Sequence, residues 1–478
     1  MEQKHINPST LLADLARSCL PALNSIHYTE VNSPVVRTRI YSIAKSSKCF
    51  QDIFFELHQL SNRPLYFFQN REKDFWLLGL QAVPISLNDQ KAVQAIVENH
   101  PQLYVIGGMH FTAPSLKSRQ ADEWKGFDNY NWIIPRFSFI YESQQLFLHI
   151  NFLDGENIRP LINECIFHLH SLEKSTHSSP HIPTSRGIEQ QVDYLPNALA
   201  WKQMLERPLQ LLHTGVLQKV VLARKIITHF SKPASLEHEL IRLKTMPNDP
   251  AYKLARAESF QILFAPDKNH AFLSLTPERL FKWREQELAI DCIAGTRKRG
   301  DDANQDKILE EELINCAKDN REHDTVAGFI KQLLDQLHMP YETIFTKKIL
   351  KLASVQHLFT SFKASAKQSN FQQWSQGLHP TPALGGMPRA LAQTVIDESE
   401  PFYRGMYGAP MGIVSAHYID MAVGIRSVLL YKNQKHVFAG AGIMPDSEPE
   451  SEWQETGIKM NNFLEESITL SNPEASTR

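Results

Sequence analysis

DMAVGIRSVLLYKNQKHVFAGAGIMPDSEPESEWQETGIKM occupies residues 420–460. Two apolar runs rich in β-branched residues flank the polar tetrapeptide KNQK, so 420–443 reads as an antiparallel hairpin turning there. The glycines of AGAG (439–442) then run into a burst of acid: Asp446, Glu448, Glu450, Glu452 and Glu455, with Lys459 the next cation. A helix from about 449 to 467 fits, with Asp446 or Ser447 near its cap and Pro449 tolerated in its first turn. The acidic burst poses a choice between a solvated helix start and a site that wants a cation.

Other segments repeat the hairpin pattern. PLYFFQNREKDFWLLGLQAV (64–83) gives two strands around the polar turn NREKD, and FSFIYESQQLFLHINFL (137–153) gives another pair. Residues 197–214 place Leu205, Leu209 and Leu212 at helical spacing with Gly215 as a stop, and 216–228 follow as a strand. A long helical pattern over 305–337 carries Ile314, Val326, Ile330 and Leu334. No GxGxxG follows a strand, so a Rossmann sheet is not indicated. The expected class is α+β (mixed α/β): large, mainly antiparallel β-sheets packed together, with helices outside. SLEKSTHSSPHIPTSRG (171–187) lacks hydrophobic periodicity and reads as a linker. The expected organisation is an N-terminal α+β part over 1–170, merged with the catalytic core, a linker over 171–190, and a catalytic part over 191–470.

Composition narrows the function. The chain of 478 residues is 42% hydrophobic and 21% charged, which is globular, and its formal net charge of -2 gives no whole-chain argument for nucleic acid or an anionic membrane. Cys19, Cys49, Cys165, Cys292 and Cys316 are odd in number and far apart, without a CxxC pair. They read as reduced thiols in a cytoplasmic protein. The first twenty residues are interrupted by Asp14 and Arg17 and read as an amphipathic helix, not a signal peptide. No apolar run approaches the roughly 20 residues of a membrane helix.

Several side chains are placed for chemistry. Glu452 and Glu455 share a helix face, and Lys459 lies four beyond Glu455. By spacing alone a solvated face with one Glu–Lys pair is the favoured reading. KDNREHD (318–324) offers Asp319 and Glu322 at the same i,i+3 spacing, and two such helices can converge on a hard cation. Lys219, inside LQKVVLA, is either an edge-strand lysine reaching water or a buried amine whose lowered pKa suits a general base. Arg426, inside AVGIRSVLL, is a charge in an apolar strand that needs a planar anion from protein or ligand. Glu278 stands beside a proline turn, as a surface residue or a partner of Arg279. The glycines of AGTRKRG (294–300), Gly295 among them, and of AGAG leave room for a ligand against backbone N–H groups, or are simply turns.

Taken together, the segments resemble one family. KVVLAR (219–224), TPERLF (276–281), IAGTRKRG (293–300), KDNREHD (318–324), VQHL (355–358), LHPTPALGGMPR (378–389), RGMYGAP (404–410), VGIRSVLL (423–430) and FAGAGIMPDSEPESEWQETGIK (438–459) resemble, in order, the motifs of chorismate-utilising enzymes. RPLYFFQNREKDFWLLG (63–79), GGMHF (107–111) and WIIPRFSF (132–139) are similar to the amino-terminal half of menaquinone-type isochorismate synthases. The resemblance implies Lys219 as the base that activates water and Glu278 as the acid that protonates the leaving 4-hydroxyl. It implies Glu322 and Glu455 as Mg2+ ligands, with Asp319 and Glu452 in support. Arg426, with backbone groups at Gly440 and Gly442, would take the enolpyruvyl carboxylate, while the metal binds the ring carboxylate. Gly295, Thr296, His357, Tyr407 and Lys459 would line the pocket. The chemistry asks that the lysine and glutamate pKa values shift towards each other.

The resemblance also separates members. Amine-forming members, which take ammonia, generally lack the lysine, so Lys219 argues for water as nucleophile and against a glutamine amidotransferase partner. Amine-forming members and salicylate synthases often have threonine where this chain has Ala383, which points to stopping at isochorismate, and the amino-terminal similarity favours menaquinone synthesis as the route it feeds. Salicylate synthases share Lys219 and differ by loss of pyruvate, so they remain the alternative; a catalytically silent chorismate-binding protein is another. Ser274, Ala317, Asn320 and the order Gly408–Ala409 depart from the family pattern.

Overall fold

The computed structural model describes residues 11–464 apart from 24–28, 32–34, 44–52, 61–62, 113–119, 129–130, 175–188, 246–258, 301 and 352–354. Among the described residues the strands form one sheet of thirteen and one of eight. Across the larger sheet lie Thr29–Val31, Val36–Ile43, Gln145–Leu153, Pro135–Glu142, Phe75–Ala82, Leu65–Gln69, Phe260–Ala265, His270–Thr276, Ser427–Tyr431, Gln434–Ile443 and Lys219–Phe230. Gly386–Met387 and Glu189–Leu195 share the outer edge of Lys219–Phe230. The smaller sheet orders Tyr341–Lys351, Val355–Ser365, Glu287–Lys298, Arg279–Arg284, Tyr418–Val423, Pro410–Val414, Val105–Gly108 and Trp132–Ile133. Neighbouring strands are antiparallel, as the hairpin reading expects.

Alternation along the strands creates the layers. Phe67 faces a core shared with Leu12, Leu15 and Leu240, while its neighbour Phe68 faces a core shared with Ile106 and Ile413 of the other sheet. A third core packs the outer face of the smaller sheet against helices, through Ile290, Val326, Ile330 and Trp374. The order is therefore helices, large sheet, small sheet, helices. Strands from both ends of the chain share both sheets: Leu65–Gln69 pairs with Phe260–Ala265, and Val105–Gly108 with Pro410–Val414. The proposed linker lies mostly outside the described residues; the helix Ile158–Lys174 precedes that gap and the strand Glu189–Leu195 follows it. Among the described residues no helix is long and apolar enough to cross a membrane.

Three expectations need correction. The stretch 420–443 is not one hairpin. Its first strand, Tyr418–Val423, belongs to the small sheet, and only Ser427–Tyr431 and Gln434–Ile443 pair as a hairpin in the large one. Gly424–Arg426 is the crossover, so Arg426 stands between strands, with φ at 48°. Both runs are buried and β-branched, so periodicity alone could not separate them. The pattern over 305–337 is two helices, Ala303–Asn315 and Ala317–Gln336, with Cys316 extended between them. No Gly or Pro marks that break. The last α-helix ends at Met460, followed by a turn of 3-10 helix, Asn461–Phe463. Its N-cap is Glu448, which makes no side-chain capping bond, while Ser447 Oγ accepts from the Met444 N–H at 3.1 Å.

Gly386 is a position where the fold needs glycine. Its φ is +148°, and a Cβ there would lie 2.2 Å from the carbonyl oxygen of Lys219. Gly386→Ala is expected to force the Lys219 strand aside and to cost roughly 2 kcal/mol or more, read as a lower urea midpoint than wild type.

Candidate active site

One cavity collects residues from distant segments. Glu278, Gly295, Thr296, Asp319, Glu322, His357, Tyr407, Arg426, Gly440, Gly442, Glu452, Glu455 and Lys459 all line it. Lys219 sits just behind this lining, fully buried, and its ammonium donates to Glu322 Oε1 at 2.7 Å. The solvated edge-strand reading of Lys219 is thereby excluded.

Glycine makes that pair possible. A Cβ at Gly442 would lie 2.9 Å from Glu322 Oε1 and 3.1 Å from Lys219 Cε, and one at Gly440 would lie 3.1 Å from the Tyr407 hydroxyl. The next residues along the lysine strand tie it to the acidic helix. Buried Arg224 donates from Nε to Thr456 Oγ1 at 2.7 Å and stacks on Trp453 at 3.6 Å. The helix Ala317–Gln336 is fixed in rotation by buried His323, whose Nε2 lies 2.7 Å from Thr360 Oγ1. These two anchors turn Glu452, Glu455, Asp319 and Glu322 inward.

Each of the four carboxylates faces a cation. Glu322 pairs with Lys219, Glu455 with Lys459 at 2.6 Å, Glu452 with Lys318 at 3.1 Å and Asp319 with Arg297 at 2.7 Å. Burial pushes Glu455 upward, but Lys459, Lys318 and Arg426 outweigh it and hold the carboxyl below its usual range. Glu452 goes the other way: burial and the neighbouring Glu455 charge raise it against Lys318. Among the described residues no three acidic, histidine or cysteine groups form a ready-made metal cage. The donor set is nevertheless all hard oxygen, from two helices facing one cavity. It fits Mg2+, which needs only one or two carboxylates when water and a ligand carboxylate complete its shell.

Glu278 stands apart from these pairs. Arg279, the neighbour considered as its partner, instead pairs with Asp420 and Glu72. Burial raises Glu278 to about 7, beyond what Lys219 and Lys459 pull back, and Asp291 adds to the rise. Such a carboxyl can give up a proton near neutral pH.

Arg426 is aimed by its backbone. An arginine at φ 48° occupies the left-handed region, which costs on the order of 1 kcal/mol without glycine. The crossover holds it there: Ser274 Oγ donates to the Ile425 carbonyl at 2.6 Å, and the Leu275 N–H to the Arg426 carbonyl at 3.0 Å. Among the described residues Arg426 NH1 reaches only the Lys459 carbonyl, at 3.3 Å. Nearby, Thr296 Oγ1 lies 3.0 Å from His357 Nδ1. Burial, then Arg426 and Lys459, hold His357 down to about 3, so it stays neutral. Burial lifts Tyr407 above its usual range, and its ring stacks on Phe438.

Arg297 and Lys318 were not singled out from sequence, although both lie in quoted motifs. They line the cavity and neutralise Asp319 and Glu452. Only their pairing across elements marks them. The departures from the family pattern fall away from the cavity lining. Ser274 braces the crossover, Ala317 is exposed, and Asn320 Nδ2 donates to the carbonyls of Ile314 and Cys316. Gly408 takes a left-handed φ of +73°.

The comparisons agree with this architecture. The chorismate binding enzyme family matches residues 30–466, so the chain belongs to that family. It is 28% identical over 404 residues to a chloroplastic isochorismate synthase of Catharanthus roseus, covering 80% of this chain and 65% of that protein. It is 35% identical over 266 residues to the isochorismate synthase MenF of Bacillus subtilis (strain 168), covering 55% of this chain and 54% of that one. The chain thus spans less than two thirds of the length of these curated relatives. It shares its fold with MenF, the menaquinone-specific isochorismate synthase of Escherichia coli, at a TM-score of 0.77 and 24% identity, over 95% of this chain and 100% of that structure.

Glu278 carries a stability signature. Its pKa in the folded protein, about 7, exceeds the ordinary glutamate value of 4.5, so the folded state holds the proton more tightly. The resulting stabilisation is complete below about 4.5 and is lost as pH rises through about 7. Glu278→Gln removes that loss. It is expected to raise the thermal midpoint relative to wild type at pH 8 by an amount worth up to ~3 kcal/mol, and by much less at pH 5.

Proposed function

We propose that this chain is an isochorismate synthase that interconverts chorismate and isochorismate, with Mg2+ as its cofactor. The observation that supports it best is one cavity lined by a carboxyl raised to about 7, an arginine and four further carboxylates, with the buried Lys219 just behind that lining. A cyclic dicarboxylate with a displaceable hydroxyl matches that set. Arg426 takes the enolpyruvyl carboxylate by charge-assisted hydrogen bonds. Glu322 and Glu455 would hold Mg2+, supported by Asp319 and Glu452, and the bound ion would neutralise the ring carboxylate.

Lys219 is the base that accepts a proton from the water that adds at C2. The ring double bonds shift, and the C4–oxygen bond breaks. Glu278 gives its proton to the departing hydroxyl, which leaves as water. One water enters and one leaves, so substrate and product have equal mass. Lys459, donating to the Gly440 carbonyl at 2.9 Å, and the neutral His357–Thr296 pair shape the pocket beside Arg426.

Ala383 lines the same cavity and offers no hydroxyl, which favours release at isochorismate. The N-terminal resemblance and the likeness to MenF proteins favour menaquinone synthesis as the destination. Water as nucleophile leaves no role for a glutamine amidotransferase subunit, and the cytoplasm is the matching compartment.

Incubation with chorismate and Mg2+ is expected to give an isomer of unchanged mass by liquid chromatography–mass spectrometry, without pyruvate in a lactate dehydrogenase assay. Pyruvate release would instead indicate a salicylate synthase. Unchanged chorismate at every Mg2+ concentration would sink the reading. Lys219→Ala is expected to lower kcat by about 10²-fold or more while sparing chorismate binding by calorimetry. Surviving turnover would show that Lys219 is not the base.

A further inference from the structure

The turn NREKD, far from the catalytic motifs in sequence, lies behind Glu278. It joins the strands Leu65–Gln69 and Phe75–Ala82, and it is held in shape by its own side chains. The Asn70 N–H donates to the Phe75 carbonyl at 3.1 Å, and Asn70 Oδ1 accepts from the Phe75 N–H at 3.2 Å. From this turn two charged side chains reach the residues on either side of Glu278. Arg71 NH1 donates to the Pro277 carbonyl at 3.1 Å. Glu72 accepts two bonds from Arg279, at 2.8 and 2.6 Å. Arg279 is in turn locked to buried Asp420 at 2.8 Å.

Arg71 does a second thing. Its NH2 group pairs with the carboxylate of Asp291, which also accepts from Ser361 Oγ at 3.0 Å. Asp291 is the negative charge that helps hold the proton on Glu278. One guanidinium therefore touches both the backbone that carries the acid and the charge that tunes it.

We infer that the NREKD turn is a positioning device for the acid: Arg71 and Glu72 clamp Pro277 and Arg279, and Arg71 sets how strongly Asp291 acts on Glu278. The inference rests on the proposed role of Glu278 as proton donor. It gives the N-terminal part a task in catalysis without contact with substrate. Arg71 and Glu72 are positioning residues, since neither lines the cavity. The other groups acting on the Glu278 proton are Lys219 from the lysine strand and Lys459 from the last helix. Cys292, beside Asp291, and Tyr407 also feel its charge.

The test uses the full chain labelled with 13C at glutamate side-chain carboxyls, with the Glu278 signal assigned by its loss in Glu278→Gln. Arg71→Met leaves Asp291 uncompensated, so the Glu278 midpoint is expected to rise by about half a unit or more. Asp291→Asn is expected to lower it. Arg71→Lys restores a charge beside Asp291 and is expected to bring the midpoint back towards wild type. In turnover, Arg71→Met is expected to lower kcat about tenfold or more, with KM for chorismate little changed, because a misplaced acid acts on the chemical step.

A merely structural turn would lower the thermal midpoint of Arg71→Met and leave both the Glu278 titration and kcat as in wild type. That result overturns the inference, as does a midpoint that fails to fall in Asp291→Asn. If wild-type protein leaves chorismate unchanged, the proposed function fails, while the carboxyl titrations still decide whether the turn controls Glu278.

Discussion

The constraint on which this site depends is the cost of burying charge. Lys219 has no exposure to water, and Glu452 and Asp319 have almost none. A buried ion left without a partner costs about 3–5 kcal/mol, so every such group here must meet its opposite. The cavity answers with pairs: Lys219 with Glu322, Lys318 with Glu452, Arg297 with Asp319 and Lys459 with Glu455. Glu278 is the exception. Among the described residues it forms no ion pair, and burial outweighs the more distant Lys219 and Lys459, so its proton is held to about 7. Acid chemistry follows from that one unpaired carboxyl among paired ones.

The pairs also explain why the site needs both sheets and two helices. Each pair except Lys459–Glu455 joins two elements that are distant in sequence. Lys219 comes from a strand of the large sheet and Glu322 from a helix on the small one. The crossover at Gly424–Arg426 passes between the sheets and delivers the guanidinium to the same space. The glycines of the AGAG run remove side chains where these groups converge. The four pairs cancel one another and leave the Arg426 guanidinium without a carboxylate partner among the described residues, free to meet an added carboxylate.

Much was legible before the structure. Antiparallel sheets followed from the hairpin signals, because a turn between two β-branched runs leaves few alternatives. The candidate site residues were legible through a set of motifs, and all but Lys219 line the one cavity. What failed was local. Buried strands are apolar on both faces, so the break at Gly424 did not show in periodicity. The helix break at Cys316 had no Gly or Pro to announce it. Arg297 and Lys318 read as ordinary surface charge, because their importance lies only in which carboxylate they meet.

The sequence by itself determined the class of elements, the hairpins over 64–83 and 137–153, and the residue types able to handle a dicarboxylate. These depend on local propensity, on alternation and on side-chain chemistry, all of which a linear chain displays. Only the tertiary structure decided that Lys219 meets Glu322, that Arg279 turns away from Glu278 towards Asp420, and that the NREKD turn reaches Pro277. Those facts are about distance and dielectric. A charge is tuned by what lies within a few ångströms of it, and in these three contacts the neighbours are 103, 141 and 206 residues apart in sequence.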